Sequence, residues 1–273
     1  MGGMGLYSNR LTNKKKIILM NSKIQPYIPY LGNKYKIAED IYTVMRQNFQ
    51  FRNVVSLFCG GGSVEIMFAR KGYNVLANDL DSGLIELHNR LIHGGDYPKD
   101  FITREVFEEL KQDKNWLGAY IRQVWSFSNN QKDYLYSKER IKGDPKLLVE
   151  HGRRQRHLDD YISLDISDRI RFISNDYRDV DLSSFNPQDT ILYLDPPYKG
   201  TRQYHVGEFD SEEFHKWVLD LPFTAVISEY EMPEPFNCIA SFDKMQESAG
   251  RTHHRLIKER LYCNKPVKIG LGL

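Results

Sequence analysis

Apolar residues in this chain gather into short runs bounded by polar and turn-forming positions. Asn53-Val54-Val55-Ser56-Leu57, Gly72 to Ala77, Arg169-Ile170-Arg171-Phe172-Ile173 and Thr190-Ile191-Leu192-Tyr193-Leu194 read as buried strands. With a further run near 224–228, strands are expected near 53–58, 74–78, 170–173, 190–194 and 224–228, separated by helical patterns such as Val64 to Arg70. That alternation predicts an α/β fold with a doubly wound, mostly parallel Rossmann-like sheet, whose ligand site lies at the carboxyl edge near the switch point. Phe236 to Ser241 and Arg260-Leu261-Tyr262-Cys263 are two further apolar segments. Residues 23–94 and 176–273 form the expected core domain, 95–175 a mainly helical insertion, and 1–22 an N-terminal extension.

The most informative chemistry follows the fourth of these strands, at Asp195-Pro196-Pro197-Tyr198. Proline fixes its own φ and restricts the residue before it, so Asp195 and the Pro196 carbonyl are presented in one shape. Two acceptors beside an aromatic plane suit the exocyclic amine of a nucleobase, whose two N–H groups need partners while its ring needs a stacking surface. The amine lone pair is delocalised into the ring, and acceptors on its protons localise that pair as an electrophile approaches. A Pro-rich turn after a strand is the plainer account of the same residues.

Upstream, Phe58-Cys59-Gly60-Gly61-Gly62-Ser63 joins the first strand to a helix, and glycines there let backbone approach a ligand beside free helical N–H groups. Asp79 ends the second strand, seventeen positions beyond Gly62, where an acid accepts hydrogen bonds from ribose hydroxyls in nucleotide-type folds. The dinucleotide fingerprint needs glycine at position 65, and this chain has Glu65. A nucleoside without pyrophosphate fits better, and S-adenosylmethionine is the candidate cofactor.

Length and composition permit one large α/β domain with an insertion: 273 residues, of which 41% are hydrophobic. The formal net charge of +2 decides little. Its distribution says more, because 138–157 holds Lys138, Arg140, Lys142, Lys146, Arg153, Arg154 and Arg156 against three acids. Just before it stand Trp125, Phe127, Asn129, Asn130, Gln131, Tyr134 and Tyr136, aromatics and amides able to stack on or hydrogen-bond to bases. A second basic stretch, Lys244 to Lys258 with Arg251, reads as a basic loop; a solvated helical face remains the alternative for the first. Cys59, Cys238 and Cys263 show no metal spacing and no even disulfide count, so a reducing cytoplasm, no metal and no covalent cysteine chemistry are expected, with Cys59 a packing residue. The apolar stretch Lys16 to Met20 is too short to span a bilayer and follows no signal-peptide pattern. Met20 is an alternative start.

Phe58-Cys59-Gly60-Gly61-Gly62 resembles the FxGxG motif of S-adenosylmethionine-dependent methyltransferases, and Asp195 to Tyr198 resembles the (D/N/S)PP(Y/F) motif of amino-methylating DNA methyltransferases. Pro29-Tyr30-Leu31-Gly32-Asn33-Lys34-Tyr35 resembles the (W/Y)xGxK cofactor motif of the Dam class. Their order is that of the alpha group, so the chain resembles a Dam-type, D12-class DNA adenine-N6 methyltransferase over residues 26 to 265. The resemblance implies cofactor contacts from Tyr30, Lys34, Phe58, Gly60, Gly62, Asp79, Asp176, Tyr177 and Asp195. It implies catalysis by Asp195, Pro196 and Tyr198 on a flipped adenine of double-stranded DNA, and a target-recognition domain in the insertion. It also implies that Phe236 to Ser241 and Arg260 to Cys263 form an antiparallel pair completing the sheet, and that the Lys244 to Lys258 loop lies near the DNA. Asn129, Asn130, Arg140, Lys142, Arg153, Arg154 and Arg251 are the candidate DNA contacts. An Asx turn after a strand is the alternative for Asn175-Asp176-Tyr177. The insertion does not reproduce the recognition hairpin of GATC-specific members. A bacterial or phage-infected host cytoplasm is implied, with a cognate restriction endonuclease as a partner if the enzyme is half of a restriction pair. Cytosine-N4, RNA-adenine or protein-glutamine methylation, an inactive DNA-binding protein of the same fold and an NAD-linked enzyme are the competing readings.

Overall fold

The computed structural model describes residues 24–136, 145–198, 209–246 and 255–267. Helix α1 (Ala38–Asn48) leads into β1 (Asn53–Ser56), α2 (Ser63–Arg70), β2 (Asn74–Asn78) and α3 (Ser82–Ile92). Helices α4 (Arg104–Leu110), α5 (Trp116–Trp125) and α6 (Pro145–Ile162) precede β3 (Ile170–Ile173) and β4 (Thr190–Leu194). Then come α7 (Ser211–Asp220), β5 (Thr224–Glu229), β6 (Asn237–Gln246) and β7 (Arg255–Cys263). The strands form one seven-stranded sheet in the order β3-β2-β1-β4-β5-β7-β6, parallel except for β7, which runs antiparallel to both β5 and β6. The five parallel strands are those expected from the apolar runs, and the closing antiparallel pair is the one the family resemblance implies.

Burial on both faces explains why those runs are nearly continuous. Val54, Ile191, Tyr193 and Val226 pack into one core layer, while their neighbours Val55, Leu192, Ala225 and Ile227 pack into the other. β4 is buried along its whole length, as a central strand must be. Helix starts are set by side chains that accept orphan N–H groups: Asp81 for α3, Thr103 for α4, Asn115 for α5 and Asp210 for α7.

β3, expected near 170–173, lies within 95–175 and is the edge strand beside β2. One stretch differs from expectation. Lys244 to Lys258 is not one long loop: β6 reaches Gln246 and β7 starts at Arg255, paired as Lys244↔Ile257 and Gln246↔Arg255. Alternation through Asp243 and Lys258, which face each other across the hairpin, extends the strands past their apolar part; Arg251 falls outside the described residues.

The helices of the insertion share the main core rather than forming a separate one. Tyr120, Trp125, Leu158 and Tyr161 belong to the same cluster as Val54 and Phe68. One hydrogen-bonded chain stitches α6 to the sheet edge: Tyr161 Oη lies 2.8 Å from His88 Nδ1, and His88 Nε2 lies 2.8 Å from the Gly60 carbonyl. Burial holds the imidazole down at about 4, so His88 is neutral; Nε2–H donates to Gly60 and Nδ1 accepts from Tyr161. Tyr161→Phe leaves that buried nitrogen without its donor, and chemical denaturation should show a loss of about 1–3 kcal/mol. An unchanged midpoint would mean that ring packing alone holds α6.

Candidate active site

The turn between β1 and α2 needs its glycines. Gly60 and Gly62 have φ of +47° and +71°, and Gly62 caps α2. A Cβ on Gly60 would come within 2.7 Å of the Tyr30 ring, and one on Gly62 within 2.8 Å of His88 Cε1. The segment Tyr30 to Lys34 is thus clamped over the turn from one side while His88 supports it from below. Asn33 fastens the clamp, its Oδ1 accepting from Ser63 Oγ at 2.6 Å and from the Tyr35 amide at 2.9 Å. Asp79, at the end of β2, accepts from the Gly60 amide at 2.8 Å and from the Asp81 amide at 3.1 Å. Burial raises its carboxyl to about 6 against the lowering effect of those two N–H groups.

The register then sets a second cluster beside the first. β4 pairs with β5 through Leu194↔Ile227, and β5 with β7 through Ser228↔Leu261, so Asp195, Ser228 and Glu259 meet at the carboxyl edge. Lys34 reaches into this cluster from the clamp. Its Nζ lies 2.7 Å from Asp195 Oδ2, 3.2 Å from Glu259 Oε1 and 3.1 Å from the Gly32 carbonyl. The Tyr198 hydroxyl donates to Glu259 Oε1 and lies 3.0 Å from Ser228 Oγ; Ser228 also donates to that carboxylate at 2.9 Å. The Tyr198 ring packs edge-on to Tyr230, 4.7 Å between centroids, with Lys34 Nζ 4.8 Å from its centre.

Burial alone would lower the Lys34 ammonium, but Asp195 and Glu259 outweigh it and hold the group well above its usual value. Burial raises Asp195, Lys34 opposes the rise, and Glu259 adds to it. Asp195 Oδ2 is therefore committed to Lys34, whereas Oδ1 is buried and makes no hydrogen bond among the described residues. A buried carboxylate oxygen without a donor is costly unless a ligand supplies one.

A model of D12 class N6 adenine-specific DNA methyltransferases matches residues 30–220, a span that holds the Lys34 clamp, the glycine turn with Asp79 and the Pro-Pro turn. The chain belongs to that family. A type II methyltransferase, M2.HphI of Haemophilus parahaemolyticus, is 23% identical over 238 residues, covering 69% of this chain and 70% of that protein. Among solved structures, the rRNA methyltransferase aviRa from Streptomyces viridochromogenes superposes over 90% of both chains with 13% identity and a TM-score of 0.39.

In this adenine-specific methyltransferase the sequence-predicted residues fall into three groups. Tyr30, Lys34, Gly60, Gly62, Asp79, Asp195, Pro196 and Tyr198 gather around the carboxyl edge. Phe58 and Tyr177 face each other instead in an aromatic cluster with Phe209 and Phe214, at 5.4 Å for the first pair, which leaves Tyr177 only 9% exposed. Asp176 takes the Asx role: it caps the short 3-10 turn Tyr177–Asp179 and is held by Arg178 at 2.9 Å. The DNA candidates split likewise. Asn130 spends its amide within its own turn, accepting from the Lys132 and Asp133 amides and donating to Asp133 at 2.7 Å. Arg154 donates to the Val124 carbonyl at the end of α5, while Arg153 is exposed. Asn129 lies half-buried at φ +55° in the turn after α5, beside exposed Phe127. Arg140 and Lys142 lie outside the described residues. Among the described residues no cluster of metal-ligating side chains occurs and no helix is long and apolar enough to cross a membrane.

Sequence reasoning missed Glu259, Ser228 and His88. For Glu259 a signal existed, since strict alternation puts it on the face of Leu261 and Cys263, both fully buried. Cys59, by contrast, behaves as expected: burial pushes its thiol well up, away from nucleophilic chemistry. Glu65, the departure from the dinucleotide pattern, is 2% exposed, accepts from Ser56 Oγ at 2.6 Å, and is raised by burial to about 8. A carboxyl lifted from 4.5 to about 8 stabilises the fold fully below pH 4.5 and loses that contribution as pH climbs to 8. Glu65→Gln should match wild type in thermal midpoint near the lower limit and exceed it by a few degrees near the upper, in melts across that range. Parallel curves at all pH values would place the ionised carboxylate in the folded protein.

Proposed function

We propose that this methyltransferase transfers a methyl group from S-adenosylmethionine to the N6 amine of an adenine flipped out of duplex DNA. The observation that carries the reading is Asp195, one oxygen held by Lys34 and the other buried with no hydrogen-bond donor on it among the described residues. Such an oxygen accepts one amine proton, and the Pro196 carbonyl takes the other. The half-buried Tyr198 ring supplies a plane for the base, fixed through its hydroxyl on Ser228 and Glu259.

The glycine turn fits the cofactor by its chemistry: positive-φ glycines allow close backbone approach, Asp79 offers acceptor lone pairs to ribose hydroxyls, and Tyr30 borders the turn. The cofactor would supply an electrophilic methyl group on a sulfonium, whose bonding electrons would remain on sulfur, and Asp195 would receive the proton that the methylated amine gives up. Asp195 opposes the positive charge that develops on the amine, which is stabilisation confined to the transition state. Extruding the base costs a few kcal/mol. Exposed Arg153 and the turn bearing Phe127 and Asn129, with the basic residues Arg140, Lys142 and Arg251, would contact the duplex and offset that cost. Asp176 and Tyr177 would act on the cofactor side by shaping the wall with Phe58. A restriction endonuclease is the partner that would read the resulting mark.

Incubating unmethylated genomic DNA with the protein and S-adenosylmethionine, then weighing the nucleosides by mass spectrometry, tests the reading. N6-methyladenine is expected. N4-methylcytosine would move the target base, and no product from folded, cofactor-binding protein would move the substrate to RNA or protein. Asp195→Ala should lower turnover by about a thousandfold while duplex affinity stays within a few-fold; equal loss of both would mark Asp195 as structural. Because protonated Asp79 is a poorer acceptor, cofactor affinity measured by calorimetry should weaken as pH falls through about 6. A flat profile there would remove Asp79 from the cofactor site.

A further inference from the structure

Lys34 is a puzzle on the proposed reading. An ammonium 2.7 Å from the catalytic carboxylate cancels the charge that the amine needs as it turns cationic. Paired with Lys34 alone, Asp195 would leave the pocket neutral, and much of the benefit of a buried anion would be lost.

Glu259 resolves it. This residue is fully buried on β7, and its Oε1 collects Lys34 Nζ at 3.2 Å, Ser228 Oγ at 2.9 Å and the Tyr198 hydroxyl. Three donors converging on one oxygen favour the ionised form. Two carboxylates then share one ammonium, and the cluster of Lys34, Asp195 and Glu259 carries a net charge of −1.

We infer that Glu259 is a positioning residue for methyl transfer: it neutralises Lys34 so that Asp195 keeps its charge for the amine, and it fixes the Tyr198 ring through the phenol. The inference rests on the N6-amine reading above. No motif of the sequence includes Glu259; antiparallel pairing of β7 with β5, through Glu229↔Arg260, brings it to Asp195. The same carboxylate ties three separate segments together: the clamp holding Lys34, the Pro-Pro turn and the β5 end at Ser228. Other charged or titratable groups facing Asp195 are Tyr193 on β4, Tyr230 after β5 and Glu65 on α2. Among the described residues none of these three hydrogen-bonds to Lys34 or Asp195; besides Lys34, the neighbours that act on Asp195 are Glu259 by its charge and Tyr198 by its hydroxyl, itself bonded to Glu259.

The test is single-turnover methyl transfer from a preassembled complex of protein, S-adenosylmethionine and duplex, followed against pH for wild type, Glu259→Gln and Glu259→Asp. Wild-type activity in the same assay establishes the underlying reading, so its failure is separate from failure of this inference. A neighbouring negative charge raises an acid's pKa, so removing it must shift the acid limb of the rate profile downwards. For Glu259→Gln we expect a plateau rate at least tenfold lower and an acid limb about one pH unit lower, with dissociation constants for cofactor and duplex within threefold of wild type. Glu259→Asp retains the charge farther from Lys34 and should lie between, its limb displaced in the same direction. A slower Gln variant with an unmoved acid limb, or one at the wild-type rate, overturns the inference. If Glu259→Gln does not fold, the Asp variant decides: a lower limb supports the role, and an unmoved limb with a slowed plateau reduces Glu259 to packing.

Discussion

A buried carboxylate must be paired, and in this protein the pairing of Asp195 with Lys34 organises everything around it. The two residues are 161 positions apart, so their contact forces the segment before α1 to fold back across the carboxyl edge of the sheet. That return path lays Tyr30 and Asn33 over the glycine turn, where Ser63 fastens them to the start of α2. In the proposed reading, the methyl-acceptor side and the cofactor side of the site are therefore both held by one short stretch of chain. Disturbing Lys34 would loosen both.

The sheet explains why an ammonium can be held there. β7 enters antiparallel between β5 and β6, so its amino-terminal part lies at the carboxyl edge of the parallel strands and sets Glu259 beside Asp195. A parallel strand in that place would bring its carboxyl end to the site instead. The reversed strand thus has a chemical consequence besides covering the sheet's flank, since it contributes the second carboxylate of the cluster.

On the opposite side, the glycine turn rests on a neutral histidine. His88 touches the Gly60 carbonyl with one nitrogen and Tyr161 of α6 with the other, and its ring stacks on Phe172 of β3 at 4.4 Å. A helix of the insertion, the DNA-facing region in the proposed reading, is thereby two hydrogen bonds away from the glycine turn. Common packing of α5 and α6 with the sheet's own core makes the insertion an extension of the domain rather than an appendage.

How much of this was legible follows from the range of each interaction. Continuous apolar runs revealed the parallel strands, because strands covered on both faces tolerate few polar residues; Pro-Pro and Gly-Gly-Gly marked the two turns, because only those residues adopt or enforce the backbone needed. Local alternatives stayed open where a side chain satisfies its own neighbourhood: Asn130 and Asp176 close turns, and Tyr177 fills an aromatic cluster, though each type also suits ligand binding. By itself the sequence determined the sheet, the order of its motifs and the family they define, since those depend on periodicity and short-range backbone preference. Tertiary structure alone decided that Lys34 serves Asp195, that Glu259 shares it and that His88 supports the glycine turn. Those contacts join residues far apart in the chain, and only strand register and direction determine which charges meet.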